Sequence, residues 1–349
     1  MLTYIAAFLI SILLTYILTP TVKKLAIRIN AVDMPGERRI NKSVIPTLGG
    51  IAIYIGFLFP VLVLSNIDRT MMGILIGGTF ILIIGIFDDL YELSPGLKLI
   101  AQIAAASILI LYGVRVDFIT NPFGGMIYLG SWGIPLTILW VVSITNTVNL
   151  VDGLDGLAAG ISAIAAITLF FVGLQEGQVT AAVMALALAG SSLGFLKYNF
   201  NPAEIFMGDT GAMFLGYVLA AIAVSGALKS AAAVTLIVPV LALGVPIFDT
   251  IFAIIRRLYN RKPIGEADQG HLHHRLLALG LNQRQAVLSV YVISIGLGLM
   301  ALIINGSNFQ NAMVILISVV LLLIYGAWKV GIFSVELPAE GTSLENSNL

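Results

Sequence analysis

The chain is a succession of apolar runs, and this repetition constrains its fold more than any other feature. Apolar stretches bounded by polar or Gly/Pro breaks fall at about 2–22, 46–65, 71–87, 98–113, 131–148, 155–174, 178–196, 210–226, 231–255, 287–305 and 311–333. A bilayer crossing takes about 20 apolar residues, so the pattern predicts about eleven transmembrane helices joined by short loops. Hydrophobic residues make up 59% of the 349 and charged residues only 10%, against about 25% in ordinary soluble chains. Mean hydropathy is +1.02. A water-soluble globule cannot hide so much apolar surface. The expected fold class is all-α, a polytopic membrane protein, with residues 1–336 as a single transmembrane catalytic domain and 337–349 as a polar, disordered tail.

Eleven spans put the termini on opposite sides. Of the 18 Lys and Arg residues, only Arg69, Arg115 and Lys229 fall in loops on the side of the N-terminus. The other fifteen predict an N-terminus outside and a C-terminus in the cytoplasm. The acids follow the same split, with only Asp68, Asp117 and Glu176 outside. Insertion does not require that of acids, so another cause gathered them. On the outer side, Val114, Val116 and Phe118 alternate ahead of Asn121-Pro122-Phe123-Gly124-Gly125, which predicts a small hairpin within 114–130. The first apolar run lacks a basic leader and a cleavage site, and reads as a retained helix. Zero net charge gives no electrostatic case for a nucleic-acid partner. The absence of cysteine excludes disulfides, thiolate catalysis and Cys-ligated zinc or iron–sulfur centres.

Five stretches carry chemistry, and parity puts all of them on the cytoplasmic face. Asp88 and Asp89 close the run Ile81–Phe87. Adjacent carboxylates at a helix C-terminus oppose both the macrodipole and each other, and groups placed against their electrostatics often mark sites. Asn146-Thr-Val-Asn149-Leu-Val-Asp152-Gly-Leu-Asp155-Gly156 is the most specific stretch. An N-cap accounts for Asp155 alone, the spacing is not that of a calcium loop, and the glycines let backbone and metal approach a phosphate. Asn199 through Phe206 to Asp209-Thr-Gly211 opens the eighth span, where Asp209 fits an N-cap as well as a ligand and Phe206 fits edge packing as well as stacking. His271, His273 and His274 are the chain's three histidines and precede Arg275. With no further ligands elsewhere, they suit anion contact better than zinc. The first loop, with Arg38, Arg39, Lys42 and Gly49-Gly50, fits lipid contact and close helix packing equally well.

At least five carboxylates (Asp88, Asp89, Asp152, Asp155, Asp209) then meet at one bilayer edge, where they repel unless a cation relieves them. Mg²⁺, which takes one or two carboxylates plus phosphate oxygens and water, suits a diphosphate substrate with Arg and His nearby. Mn²⁺ is the alternative ion. A site of this kind at the lipid edge suits a reaction between a soluble phosphorylated donor and a membrane-held acceptor. A secondary transporter is the rival class, but it would place ionisable groups near the midplane. Here the spans are almost free of charge through their middles, and Asp249 lies only seven residues before Arg256.

These motifs resemble, along the whole length of the chain, those of the polyprenyl-phosphate N-acetylhexosamine-1-phosphate transferases. The resemblance rests on Asp88-Asp89, Asn149-Leu-Val-Asp152-Gly-Leu-Asp155-Gly, Asn199 to Asp209-Thr-Gly, and His271-Leu-His273-His274-Arg275. The His-x-His-His form is similar to the branch that uses UDP-N-acetylglucosamine (the WecA/TagO group) rather than the muramoyl-pentapeptide branch. Two departures stand out. The first loop reads Arg38-Arg39-Ile40-Asn41 where the family has Arg-x-x-His, so Asn41 is given no role, and Leu272 stands where Ile is commoner.

The resemblance implies transfer of GlcNAc-1-phosphate from UDP-GlcNAc to undecaprenyl phosphate, giving undecaprenyl-diphospho-GlcNAc and UMP, at the start of a teichoic acid or surface polysaccharide. Another UDP-sugar is the alternative donor. It further implies Asp209 and Asp152 as Mg²⁺ ligands, and Asp88, Asp89, Asp152 and His273 as catalytic. Asn149, Asp155, Asn199, Phe206, Arg38, His271, His274 and Arg275 would bind substrate, with Phe206 stacking on uracil. The family also admits a homodimer. Single displacement at the β-phosphorus is the expected route, and a covalent aspartyl phosphate is its rival.

Overall fold

The structure, a computed structural model, describes residues 1–34, 43–120, 126–227, 237–259, 261, 270–329 and 331. It is almost entirely helical: α1 Leu2–Arg28, α2 Gly50–Leu64, α3 Arg69–Tyr91, α4 Pro95–Leu111, α5 Gly133–Val151, α6 Leu157–Gln175, α7 Val179–Asn199, α8 Gly208–Ala227, α9 Ile237–Ala242, α10 Gly244–Tyr259, α11 Leu272–Ala278, α12 Gln283–Asn305 and α13 Phe309–Lys329. Among the described residues, eight helices are long and apolar enough to cross a membrane, and α2 and α4 are shorter apolar helices. Outward-facing side chains such as Leu9, Leu13 and Ile17 on α1 and Leu321 and Leu322 on α13 are apolar and exposed, as a lipid-facing surface requires.

The helices outlast the apolar runs that announce them because polar residues continue or cap them. Ser94 accepts from the Leu97 N–H with Pro95 in the first turn, so α4 starts before residue 98. Asn282 and Gln285 form a capping box that starts α12 before 287. The expected span 231–255 is instead two helices, α9 and α10, and its beginning lies outside the described residues. Pro246 has no N–H to offer the Ala242 carbonyl, so the helical ladder breaks between α9 and α10. Short α11 was not expected. The hairpin is present as β3 Phe118–Thr120 paired antiparallel with β4 Met126–Tyr128, its turn lying outside the described residues. A smaller pair joins β1 Val32–Asp33 to β2 Ile45–Pro46. The tail 337–349 is also outside the described residues.

Helix α8 is the axis of the bundle. Every residue from Thr210 to Ser225 is buried, with α3 and α5 against it and α2 and α6 completing its surround. α1 packs on α2 and α7, α7 on α6, and α12 on α6 and α9. Small residues permit these approaches, which apolar packing in lipid rewards. A Cβ at Gly50 would lie 2.2 Å from the Gly211 nitrogen, and one at Gly85 would lie 2.5 Å from the Thr210 Cα. Gly49-Gly50 is therefore a packing feature of the α2–α8 crossing. Both contacts sit at the N-terminal turn of α8, where Asp209 is.

Because the Gly85 neighbour is backbone, Gly85→Val is expected to force α3 off α8, a loss of about 1–3 kcal/mol or more. Gly96 on α4 has open space around it, so Gly96→Ala should leave the thermal unfolding midpoint of the detergent-solubilised protein unchanged or slightly raised. Equal midpoints for the two variants would contradict the packing assigned to Gly85.

Candidate active site

Four helix ends meet at one end of the bundle: the C-termini of α3 and α5 and the N-termini of α4 and α8. Between them opens a cleft of about 770 Å³ whose wall includes Asp88, Asp89, Lys98, Asn149, Asp152, Asp155, Asn199, Phe206, Asp209 and His274. Asp88 and Asp89 occupy the last turn of α3. The Asp88 Oδ1 accepts the Leu93 N–H at 2.8 Å, and its other oxygen pairs with the Lys98 ammonium. Lys98 also reaches Asp209 Oδ2 at 2.6 Å. A lysine in the first turn of a helix opposes the macrodipole, and here two carboxylates hold it.

Asp89 does different work. Its Oδ1 accepts the Asp209 N–H at 2.9 Å, while its Oδ2 accepts the Thr210 N–H at 3.2 Å and hydroxyl at 2.6 Å. It therefore caps α8 from α3, a favourable place for a carboxylate. Both oxygens are engaged, so Asp89 positions the N-terminal turn of α8 that carries Asp209.

Asp152 follows the last residue of α5, with the Asn149 side chain beside Asp209. Burial, then the charges of Asp209, Asp89 and Asp155, push the Asp152 carboxyl up to about 8. Asp155 lies in the turn before α6, where its Oδ2 accepts the Asn201 side-chain amide at 2.9 Å and the Ala203 N–H at 3.0 Å. Buried Asn199 ties the same turn to the following loop. It accepts the Gly156 N–H at 3.1 Å and donates to the Ile205 carbonyl at 3.0 Å. Expected as a substrate ligand, Asn199 thus has both ends of its amide on the backbone and acts first as a clasp. Phe206 is set on the wall by backbone bonds of 2.9 Å to Pro46 and from Gly49.

The histidine motif divides. His274 lines the cleft, whereas His271, His273 and Arg275 are buried behind it and are absent from its wall. Asp249 on α10 anchors the motif: its Oδ2 lies 2.8 Å from His271 Nδ1, and its Oδ1 accepts the Leu272 N–H at 2.8 Å. His273 packs against the α5–α6 turn, its Nε2 being 2.7 Å from where a Cβ on Gly153 would lie. Burial, followed by the His274 charge, pushes His273 down to about 3. His273 is therefore held toward its neutral form and lies behind the cleft wall, against Gly153. Arg38 and Asn41 lie outside the described residues.

Sequence reasoning missed Lys98, which lies at the edge of an apolar run, and Gln283, which lines the cleft and accepts from Asn201 at 2.6 Å. The wall holds seven carboxylates (Asp33, Asp88, Asp89, Glu92, Asp152, Asp155 and Asp209) and, among the described residues, one lysine. No three His, Asp or Glu side chains among the described residues form a ready-made metal cage. Asp209 and Asp152 interact through their charges, and Asp88 lies beside Asp209, so these carboxylates could share a cation.

Glycosyl transferase family 4 has a family model that matches residues 71–227, the segment from α3 through α8. The chain is 41% identical over 318 residues to a probable undecaprenyl-phosphate N-acetylglucosaminyl 1-phosphate transferase of Bacillus subtilis, covering 90% of this chain and 89% of the relative. It is 38% identical over 311 residues to a decaprenyl-phosphate N-acetylglucosaminephosphotransferase of Mycobacterium leprae (80% and 78% covered). A phospho-N-acetylmuramoyl-pentapeptide-transferase of Caldanaerobacter subterraneus matches at 30% over 302 residues (83% and 93%).

His273 gives a signed pH test. Its pKa is depressed from 6.5 in the fold, so its contribution to stability is present above 6.5 and is lost as pH falls toward 3. By pH 5 the loss is about 2 kcal/mol. The thermal midpoint should drop between pH 7 and 5, and His273→Gln should flatten that drop. Identical pH dependence in the two proteins would contradict a buried neutral His273.

Proposed function

Since the chain belongs to glycosyl transferase family 4, together with the polyprenyl-phosphate N-acetylhexosamine-1-phosphate transferases, we propose that it transfers GlcNAc-1-phosphate from UDP-GlcNAc to undecaprenyl phosphate, releasing UMP. The observation that carries this reading is the gathering of Asp88 and Asp209 around Lys98, with Asp152 on the same cleft wall, at the end of an apolar helix bundle. Eleven spans, with the cleft on the cytoplasmic face, are part of the proposal, supported by the fifteen-to-three split of basic residues.

A divalent cation, Mg²⁺ or Mn²⁺, fits this donor set. Lys98 bridging Asp88 and Asp209 marks where positive charge is wanted, and seven carboxylates would otherwise repel a diphosphate. Asp209, with Asp152, would hold the ion, which when bound supplies charge neutralisation on the diphosphate oxygens. The side chains do the rest. Phe206 offers a face for the uracil, Asp155 and Gln283 flank it, and His274 reaches the phosphates. Asp88, fixed by the Leu93 N–H and Lys98, orients the acceptor phosphate for attack on the β-phosphorus. With a second phosphate pKa near 6, the acceptor is mostly dianionic at pH 7 and needs steering more than deprotonation. Lys98, released from its carboxylates, is placed to meet the charge that develops on the transferred group.

UMP release by the purified protein should require UDP-GlcNAc, undecaprenyl phosphate and a divalent cation together. Asp209→Asn and Asp88→Asn should each lower kcat by about 100-fold or more in protein that remains folded. Wild-type turnover in either variant would falsify the assignment. A donor panel containing UDP-MurNAc-pentapeptide and UDP-GalNAc tests the sugar.

The cation must displace a proton from Asp152, whose carboxyl is raised to about 8. Apparent cation affinity should therefore strengthen as pH rises from 6 to 8, and Asp152→Asn should reduce that slope, the other carboxylates of the cleft supplying the remainder. An affinity independent of pH in the wild type would exclude Asp152 as a ligand.

A further inference from the structure

One helical turn further into the bundle than the cleft's polar wall, and outside the cleft lining itself, three helices each contribute one side chain to a floor layer. On α4, Gln102 is four residues beyond Lys98. On α5, Asn146 is three residues before Asn149, and on α8, Met213 is four residues beyond Asp209. These spacings place each floor residue on the same helix face as its site residue. The three meet. Asn146 Nδ2 donates to the Val142 carbonyl at 2.8 Å, which fixes the direction of its amide, and to Gln102 Oε1 at 2.6 Å. Gln102 Nε2 in turn donates to Asn146 Oδ1 at 3.1 Å and to Met213 Sδ at 3.8 Å. Every N–H of both amides is used. Gln102 is 1% exposed and Met213 fully buried, while Asn146 is half-buried.

We propose that this reciprocal clasp is a positioning device: it sets the register of α4, α5 and α8 so that Lys98, Asn149 and Asp209 stand at their working distances. Ordinary polar glue between membrane helices would ask for no such alignment. The wall above is tied by charge: Asp89 on α3 caps α8, and Lys98 on α4 pairs with Asp88 and Asp209. Lys98 is a flexible side chain held between Asp88 and Asp209, and its place depends on where α4 enters. A rotation of α4 about its axis, or a slip along α5, would move the ammonium without unfolding anything. Gln102 and Asn146 are positioning residues, since they touch each other and not the reacting atoms. The proposal rests on the transferase reading above.

The test compares kcat, KM and stability in purified full-length protein. Gln102→Leu with Asn146→Leu removes both amides together and leaves no unpaired donor, so its thermal midpoint should stay near that of the wild type. Its kcat for UMP release should fall by about tenfold or more, with the KM for UDP-GlcNAc changed by less than about twofold. The exchange Gln102→Asn with Asn146→Gln rebuilds a reciprocal pair of the same total length and should recover most of the rate. Should the double leucine variant not fold, Gln102→Met decides: lowered kcat at constant KM supports the clasp, and wild-type kcat in the folded fraction overturns it. Wild-type kcat in the double leucine variant, or an exchange variant as slow as the double leucine one, also overturns it. No UMP from the wild type with any donor would defeat the transferase reading itself, whereas a fully active clasp variant defeats only the clasp.

Discussion

Like charges crowded at the edge of an apolar bundle are the constraint on which the rest of this structure depends. Among the described residues, seven carboxylates line one cleft with a single lysine. In water such a cluster would disperse; here four helix ends pin it. Lys98 offsets two of the charges, and Asp89 spends its own on the N-terminal N–H groups of α8. What remains, Asp152 above all, is held toward the protonated form. The arrangement leaves a demand for positive charge, which in the proposed reading a cation arriving with a diphosphate would meet.

Packing serves the same end. The buried, small-residue helix α8 lets α2 and α3 approach until backbone meets backbone at Gly50 and Gly85. These contacts lie within two residues of Asp209. The clasp of Gln102 and Asn146 lies one turn below. Stability and function are thus separable in the molecule: the apolar layers decide whether the bundle forms, and a few polar contacts decide where Lys98, Asn149 and Asp209 stand within it.

Much of this was legible in the sequence because membrane helices write their periodicity plainly and because clustered acids at helix ends are conspicuous. Asp88, Asn149, Asp152, Asp155, Phe206 and Asp209, singled out by their motifs, all line one cleft. What escaped did so for physical reasons. Lys98 sits at the edge of an apolar run and reads as a membrane-boundary charge until Asp88 and Asp209, 10 and 111 residues away, are seen to hold it. Gln102 is one polar residue in an apolar helix, and its partner lies 44 residues on. The motif of three histidines looked uniform, but helical geometry turns His274 to the cleft and His273 inward, and no spacing rule reveals which. Pro246 was visible in the sequence, yet the break it imposes between α9 and α10 was hidden inside a continuous apolar run.

Spectroscopy of bound Mn²⁺ tests the central claim most directly, because the ion reports its own ligands. Paramagnetic resonance on the purified protein should find a single Mn²⁺ site, lost in Asp209→Asn, that acquires ³¹P hyperfine coupling when UDP-GlcNAc is added. A Mn²⁺ site indifferent to Asp209, or one that never senses phosphorus, would show that these carboxylates converge for some purpose other than holding a diphosphate.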